Sequence, residues 1–365
     1  MEYNKITFSE LNMPLRVSPR PLSLRQANYE DEFDYDTLIY DVLYRDNKIV
    51  ILSPFLTEEQ ISSLLNNILI DGLNIKMFKY HIFKTNRTIK IIIFITDVKQ
   101  INSIFIYKKE MKFLENRFLN YDTSRILYTL QKNNDIEWIK DWIKYYNHIH
   151  KPSLVIIYDN NSDVYTVDEL NRELKKIATN CIVLSFPFKY GPGAFNGSSW
   201  DSDYCQYAAF EHIRYSLPSN SLLLNVDIDE MCISLREENN IYNYLLSSEF
   251  NAILFKGKWC YIEKDKNEIV DNKHCFHEIF EKDTVCSPKY VVNLDAIEDN
   301  IFLGVHDVIY EKNKLTTIDF IYLHCRNISN NWKYKRDNKV QFNENIHERN
   351  NYLSDCFISL KKNRQ

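Results

Sequence analysis

The chain has 365 residues, 45% hydrophobic and 26% charged, with a net charge of −5. That composition supports a sizeable core and argues against wholesale disorder. The negative balance argues against nucleic acid as a partner, because phosphate contacts need a basic face. Eight cysteines without a Cys-x-x-Cys pair fit reduced thiols better than a zinc site or a disulfide frame. The start, Met1-Glu2-Tyr3-Asn4-Lys5, lacks the basic and apolar regions of a signal peptide. The most apolar window, Ile89 to Thr96, is too short to span a bilayer. The expectation is a cytoplasmic protein, with at most peripheral contact at the inner face of a membrane. Plentiful Lys, Asn, Ile, Tyr and Phe beside only 6 Gly suggest AT-biased, bacterial coding.

Residues 1–118 read as a small β-rich accessory domain. Pro14, Pro19 and Pro21 mark an irregular leader. Strands are predicted over Lys48–Leu52, Lys76–Phe83, Ile89–Thr96 and Ser103–Tyr107 from their Ile, Phe and Tyr content. A helix should open after Thr57, whose hydroxyl can cap it, with Glu58 and Glu59 at its positive end. From about Ser124 the pattern alternates between strand and helix. Arg125–Leu130 reads as a strand, and Asn134 or Asp135 can cap a helix running to His148. Ser153–Tyr158 is a second strand, and Thr166 opens a helix to Ile177. Cys181–Phe186 is a third strand, 187–201 a loop, and Tyr204–Tyr215 a helix. Such alternation implies an α/β fold with a mostly parallel sheet flanked by helices. Residues 119–340 are assigned to that domain. Residues 341–365 are assigned to a last helix, about Glu344 to Leu360, and a basic tail, Lys361-Lys362-Asn363-Arg364.

Leu222-Leu223-Leu224 leads into Asn225-Val226-Asp227-Ile228-Asp229-Glu230. Residues two apart on a strand face the same way. Asp227 and Asp229 could therefore share one hard divalent cation, Mn²⁺ or Mg²⁺, of the kind that holds a substrate diphosphate. This suggests transfer from a nucleotide sugar, although an isolated Asp-x-Asp is also an ordinary solvated strand end. His324, ending the apolar run Ile318–Leu323, is the candidate third ligand, since Mn²⁺ tolerates imidazole. His306 competes with it. Lys335 and Trp332 follow His324, and Lys335 could meet the diphosphate. Asn133 and Asp159 fall at strand ends, where ligands of such sheets bind. Asp159, Asn160 and Asn161 could read a base or ribose, or simply form an Asx turn. Glu263, after the run Ala252–Tyr261, is the candidate general base of an inverting transfer. Trp200 or Trp259 could stack on a sugar face.

Several of these stations resemble glycosyltransferase family 92 and its family-2-like bacterial relatives. Leu130-Gln131-Lys132-Asn133-Asn134-Asp135 leading into Trp138-Ile139-Lys140-Asp141-Trp142 is similar to that family's Lys-Asn-Glu strand end and Trp-rich helix. Tyr158-Asp159-Asn160-Asn161-Ser162 resembles its Tyr-Asp-Asn-x-Ser segment. Trp200, Gln206 and Asp227-Ile228-Asp229-Glu230 follow in order, then Lys289-Tyr290-Val291-Val292, Val305-His306 and His324-Cys325-Arg326. Asn134, Met231 and Cys325 depart from the usual Glu, Phe and Tyr. The likeness spans roughly residues 124 to 336. It implies a GT-A fold, a divalent metal, a nucleotide-sugar donor (a UDP-sugar) and a glycan or glycolipid acceptor in cell-surface polysaccharide or lipooligosaccharide synthesis. Trp200 and Gln206 enter as donor-side residues on this basis. Two other readings fit the acids less well: a metal-dependent phosphotransferase or nuclease, and a non-catalytic glycan-binding protein on a degenerate transferase scaffold. The chain has no phosphate-cradling glycine loop, which weighs against the first. Its retained Asp227, Asp229 and His324 weigh against the second.

Overall fold

The computed structural model describes residues 2–96, 101–112, 118–196, 204–236, 240–264, 273–328 and 339–362. It divides into two units, one of residues 1–120 with 186–218, the other of 121–185 with 219–365.

The first unit is built on an antiparallel sheet of β1 (Asp41–Arg45), β2 (Lys48–Pro54), β3 (Lys79–Lys84) and β4 (Thr88–Phe94), in the order β1-β2-β4-β3. Helix α1 (Glu58–Asn66) opens on a capping box between Thr57 and Gln60. The segment Tyr204–Ser216 also belongs to this unit. It is a helix buried on nearly every side, and so lacks the polar stripe of a surface helix. Its polar members are paired inside: Glu211 with Lys90 at 2.8 Å, and His212 with Asp41 at 3.1 Å.

The second unit carries the alternating pattern. Its strands are β5 (Arg125–Gln131), β6 (Leu154–Asp159) and β7 (Cys181–Ser185), with helices α2 (Ile136–Ile149) and α3 (Val167–Lys175) between them. Asp135 caps α2 by accepting the Glu137 N–H, and Thr166 with Glu169 forms a capping box on α3. Ile139, Trp142, Ile143 and Tyr146 are the buried stripe of α2. The two isoleucines contribute about 2 kcal/mol each by burial. Then come β8 (Leu222–Asn225), β9 (Glu230–Ser234), β10 (Ala252–Glu263), β11 (Cys286–Asn293) and β12 (Lys314–Cys325). Helix α4 (Tyr352–Lys362) is the last described element.

The sheet runs β7-β6-β5-β8-β11-β10, with β12 paired to both β10 and β9. It is mixed, which corrects the mostly parallel expectation. The β7, β6, β5 and β8 pairings are parallel, whereas β11 is antiparallel to both β8 and β10, and β9 is antiparallel to β12. The cause is the connections. Helices α2 and α3 supply the long crossovers that parallel neighbours need. No helix of that length separates β10 from β11 among the described residues. The last helix is also shorter than expected. His347–Arg349 is a strand, and Asn350 accepts the Tyr352 N–H to start the helix there.

Candidate metal centre

Strand β8 ends at Asn225, short of the acids. Residues 227 to 230 form a tight turn in which the Glu230 N–H donates to the Asp227 carbonyl at 3.0 Å. The Glu230 carboxylate in return accepts the Asp227 N–H at 2.8 Å. Because this is a turn and not a strand, the two-residue spacing does not aim both aspartates at one point. Asp227 Oδ2 meets Lys289 Nζ at 2.7 Å, and Asp229 Oδ2 accepts from His324 Nε2 at 3.0 Å.

The other carbonyls of the turn are also engaged. His274 Nε2 donates to Ile228 at 2.8 Å, the Cys325 N–H to Asp229 at 2.7 Å, and the Tyr146 hydroxyl to Glu230 at 3.0 Å. A turn with every carbonyl fixed holds its carboxylates at little further entropic cost.

His324 reaches this turn through a break in strand pairing. Strand β12 pairs with β10 up to Thr317, leaves it, and rejoins at Tyr322 opposite Gly257. From there it lies between β9 and β10, so Glu230 stands opposite His324 on one side and Trp259 on the other. Cross-strand neighbours share a face. The imidazole accordingly stacks on Trp259 at 4.1 Å between ring centres, and the Arg326 guanidinium lies 4.6 Å from the Trp259 ring. Gly257 makes room for Tyr322, since a Cβ there would sit 2.3 Å from the ring.

Asp229, Glu230 and His324 bring one ligand atom each to within 4.8 Å of one another. Two carboxylates and an imidazole suit Mn²⁺, and Mg²⁺ less well because it prefers oxygen alone. The cluster is charged against its surroundings. Burial pushes the Glu230 carboxyl up to about 7; Asp227 and Asp229 reinforce that, and Lys289 and His324 oppose it. Burial works against the charge on Lys289, yet Asp227 and Glu230 outweigh it and hold the ammonium above the usual lysine range. Lys289 is shared with Asp227, and its ammonium only partly offsets the effect of burial on Glu230.

A second polar cluster sits at the ends of β5 and β6, where Gln131 and Asp159 are parallel neighbours. Asp159 is buried and accepts from Gln131 Nε2 at 2.5 Å, Ser162 Oγ at 2.5 Å and the Ser162 N–H at 3.0 Å. Burial raises its carboxyl, and the Ser162 bonds pull it back. Asn133 takes a left-handed backbone, donates its N–H to Ser162 Oγ and accepts the Asp163 N–H. The Asn160 N–H donates to the Gln131 carbonyl at 2.8 Å. Asn161, also left-handed, lines an open cleft of about 390 Å³ with Asp159, Ser162, Asp163, Tyr165 and Thr166.

The remaining candidates lie elsewhere. Glu263 is held by Arg349 through two bonds of 2.9 and 2.5 Å. It stands four residues beyond Trp259 on β10, about 13 Å along the strand. Gln206 is in the first unit, buried, and accepts the Tyr190 hydroxyl at 2.6 Å. His306 is exposed and directs Nδ1 at the Pro288 carbonyl. Trp200, Trp332 and Lys335 lie outside the described residues. Sequence reasoning gave no role to Glu230, Lys289, His274, Gln131 or Ser162. A lysine inside the apolar run Lys289-Tyr290-Val291-Val292 was the available signal, since lysine is almost never buried without a partner.

No family model and no curated protein matches the chain. Solved structures similar to it include the galactosyltransferase LgtC in complex with donor and acceptor sugar analogs, and an active-site mutant of LgtC. Each is 10% identical, with a TM-score of 0.26, over 53% of this chain and 72% of that chain.

Proposed function

We propose that this chain is a glycosyltransferase of GT-A type that uses a divalent cation, Mn²⁺ or Mg²⁺, to move a sugar from a UDP-sugar to a glycan acceptor. The observation that carries the reading is the convergence of Asp229, Glu230 and His324 within 4.8 Å, just past the end of β8. Topology supports it. Going outward from β5, the chain adds β6 and β7 on one side and β8 on the other. Ligands of α/β sheets bind beyond the carboxyl ends of strands at such a reversal. Gln131, Asp159 and the Asp227–Glu230 turn all stand at that end of the parallel strands.

A cation held by Asp229, Glu230 and His324 would neutralise charge gathering on a leaving diphosphate. The turn bonds from His274, Tyr146 and Cys325 keep those side chains in place beforehand. Trp259, stacked on His324 with the Arg326 guanidinium over its ring, fixes the imidazole beside the cluster. The cleft beside Asp159 is the proposed place for the nucleoside. The test is a thermal-shift panel of nucleotides and nucleotide sugars with and without Mn²⁺, followed by assay of donor hydrolysis. UDP with Mn²⁺ should stabilise more than either alone. Stabilisation by glycan alone, with no nucleotide effect, would instead favour a binding protein.

A further inference from the structure

Lys289 has no exposed surface, yet its ammonium lies between two carboxylates at the edge of the acid turn. It sits on β11, where its neighbour Tyr290 pairs with Asn225 of β8 and Lys289 itself pairs with Phe255 of β10. Its side chain ends on the carboxylates of the 227–230 turn. Its Nζ is 2.7 Å from Asp227 Oδ2 and 3.2 Å from Glu230 Oε2. That Glu230 oxygen also accepts the Asp227 N–H, so it already serves two donors. A divalent ion placed on the same side of the acids would stand against an ammonium a few ångströms away, and like charges at that range repel strongly in a buried site. Asp229, by contrast, points to His324.

We propose that Lys289 is a resident counter-ion and positioning residue: its ammonium occupies the side of the cluster bounded by Asp227 Oδ2 and Glu230 Oε2, confining an incoming divalent cation to Asp229, His324 and the other Glu230 oxygen. The two aspartates of the motif then have separate tasks. Asp227 neutralises an internal cation and anchors the turn, and Asp229 meets the external one. The placement of Lys289 stands by itself; the external cation rests on the function proposed above.

The test is a Mn²⁺ titration of the full chain, read by the electron paramagnetic resonance signal of free Mn²⁺, with circular dichroism to check folding. Wild type should bind one ion. Asp227→Asn should keep the affinity within about threefold, the effect of one partly screened neighbouring charge. Asp229→Asn should weaken it about 100-fold. Lys289→Met should admit a second ion or tighten binding by about tenfold or more, and adding Asp227→Asn should reverse that gain. The proposal is overturned if Asp227→Asn loses as much affinity as Asp229→Asn, or if folded Lys289→Met titrates like wild type. Should Lys289→Met fail to fold, the Asp227 and Asp229 comparison decides alone. If wild type binds no Mn²⁺ but Lys289→Met does, the metal-dependent function fails and Lys289 stands as the resident cation. Binding by neither sinks both.

Discussion

At the scale of single residues, the two late histidines differ in what each ring meets. His324 is positioned by Trp259 and aimed at Asp229, while His306 is tied to a turn carbonyl. His324→Ala should therefore abolish the effect of Mn²⁺ on UDP affinity, and His306→Ala should leave that effect intact; calorimetry of each variant distinguishes them. His150 shows the same principle away from the site. Its Nε2 donates to the Cys232 carbonyl and its Nδ1 accepts the Ile241 N–H, so only the neutral ring satisfies both. Burial lowers its pKa to about 4. Above pH 6.5 the ring is neutral whether folded or not, and its contribution to stability is complete. As pH falls from 6.5 towards 4, the unfolded chain takes up a proton that the folded chain refuses, and stability is lost. Between pH 7 and pH 5 that loss is about 2 kcal/mol from this residue. Urea midpoints at the two pH values measure it, and His150→Gln should shrink the difference by that amount.

At the scale of elements, the sequence was most legible where local rules act. Thr166 and Glu169 define a helix start by themselves, and the buried stripe of α2 follows from the spacing of Ile139, Trp142, Ile143 and Tyr146. The antiparallel half of the sheet was not legible, because it depends on which distant strands pair. The Asp227–Lys289 contact joins residues 62 apart, and no window of sequence contains both. Asp229 is legible as the second acid of an Asp-x-Asp pair beyond an apolar run and His324 as the end of another such run, whereas the closing of the 227–230 turn through Glu230 is not. The re-pairing of β12 at Tyr322 was hidden too, although Gly257 marks it. Gly257→Ala would drive the Tyr322 ring from its place and break the 2.6 Å bond from its hydroxyl to the Ser287 carbonyl. Overpacking of that kind costs about 1–3 kcal/mol. The denaturant midpoint should fall, and Mn²⁺ affinity should fall with it because His324 lies two residues on.

At the scale of the whole molecule, the two units are not consecutive stretches of chain. Residues 186–218 leave the alternating unit, contribute the Tyr204–Ser216 helix to the first, and return as β8. A chain starting at Tyr121 would therefore carry that helix without the strands that cover it. Phe210, Ile213, Glu211 and His212, all buried now, would meet water without Lys90 and Asp41 as partners. Such a fragment should aggregate or bind a hydrophobic dye, while residues 1–365 do not; size-exclusion chromatography settles it. No helix among the described residues is long and apolar enough to cross a membrane. The claim on which the account turns is that a cation at Asp229, Glu230 and His324 governs nucleotide binding. Calorimetric titration of UDP into the full chain, with and without Mn²⁺, tests it most directly when repeated on Asp229→Asn. The account predicts that Mn²⁺ tightens UDP binding about tenfold or more in wild type and not at all in the variant. UDP affinity indifferent to Mn²⁺ in wild type, or a Mn²⁺ effect surviving in Asp229→Asn, would contradict it.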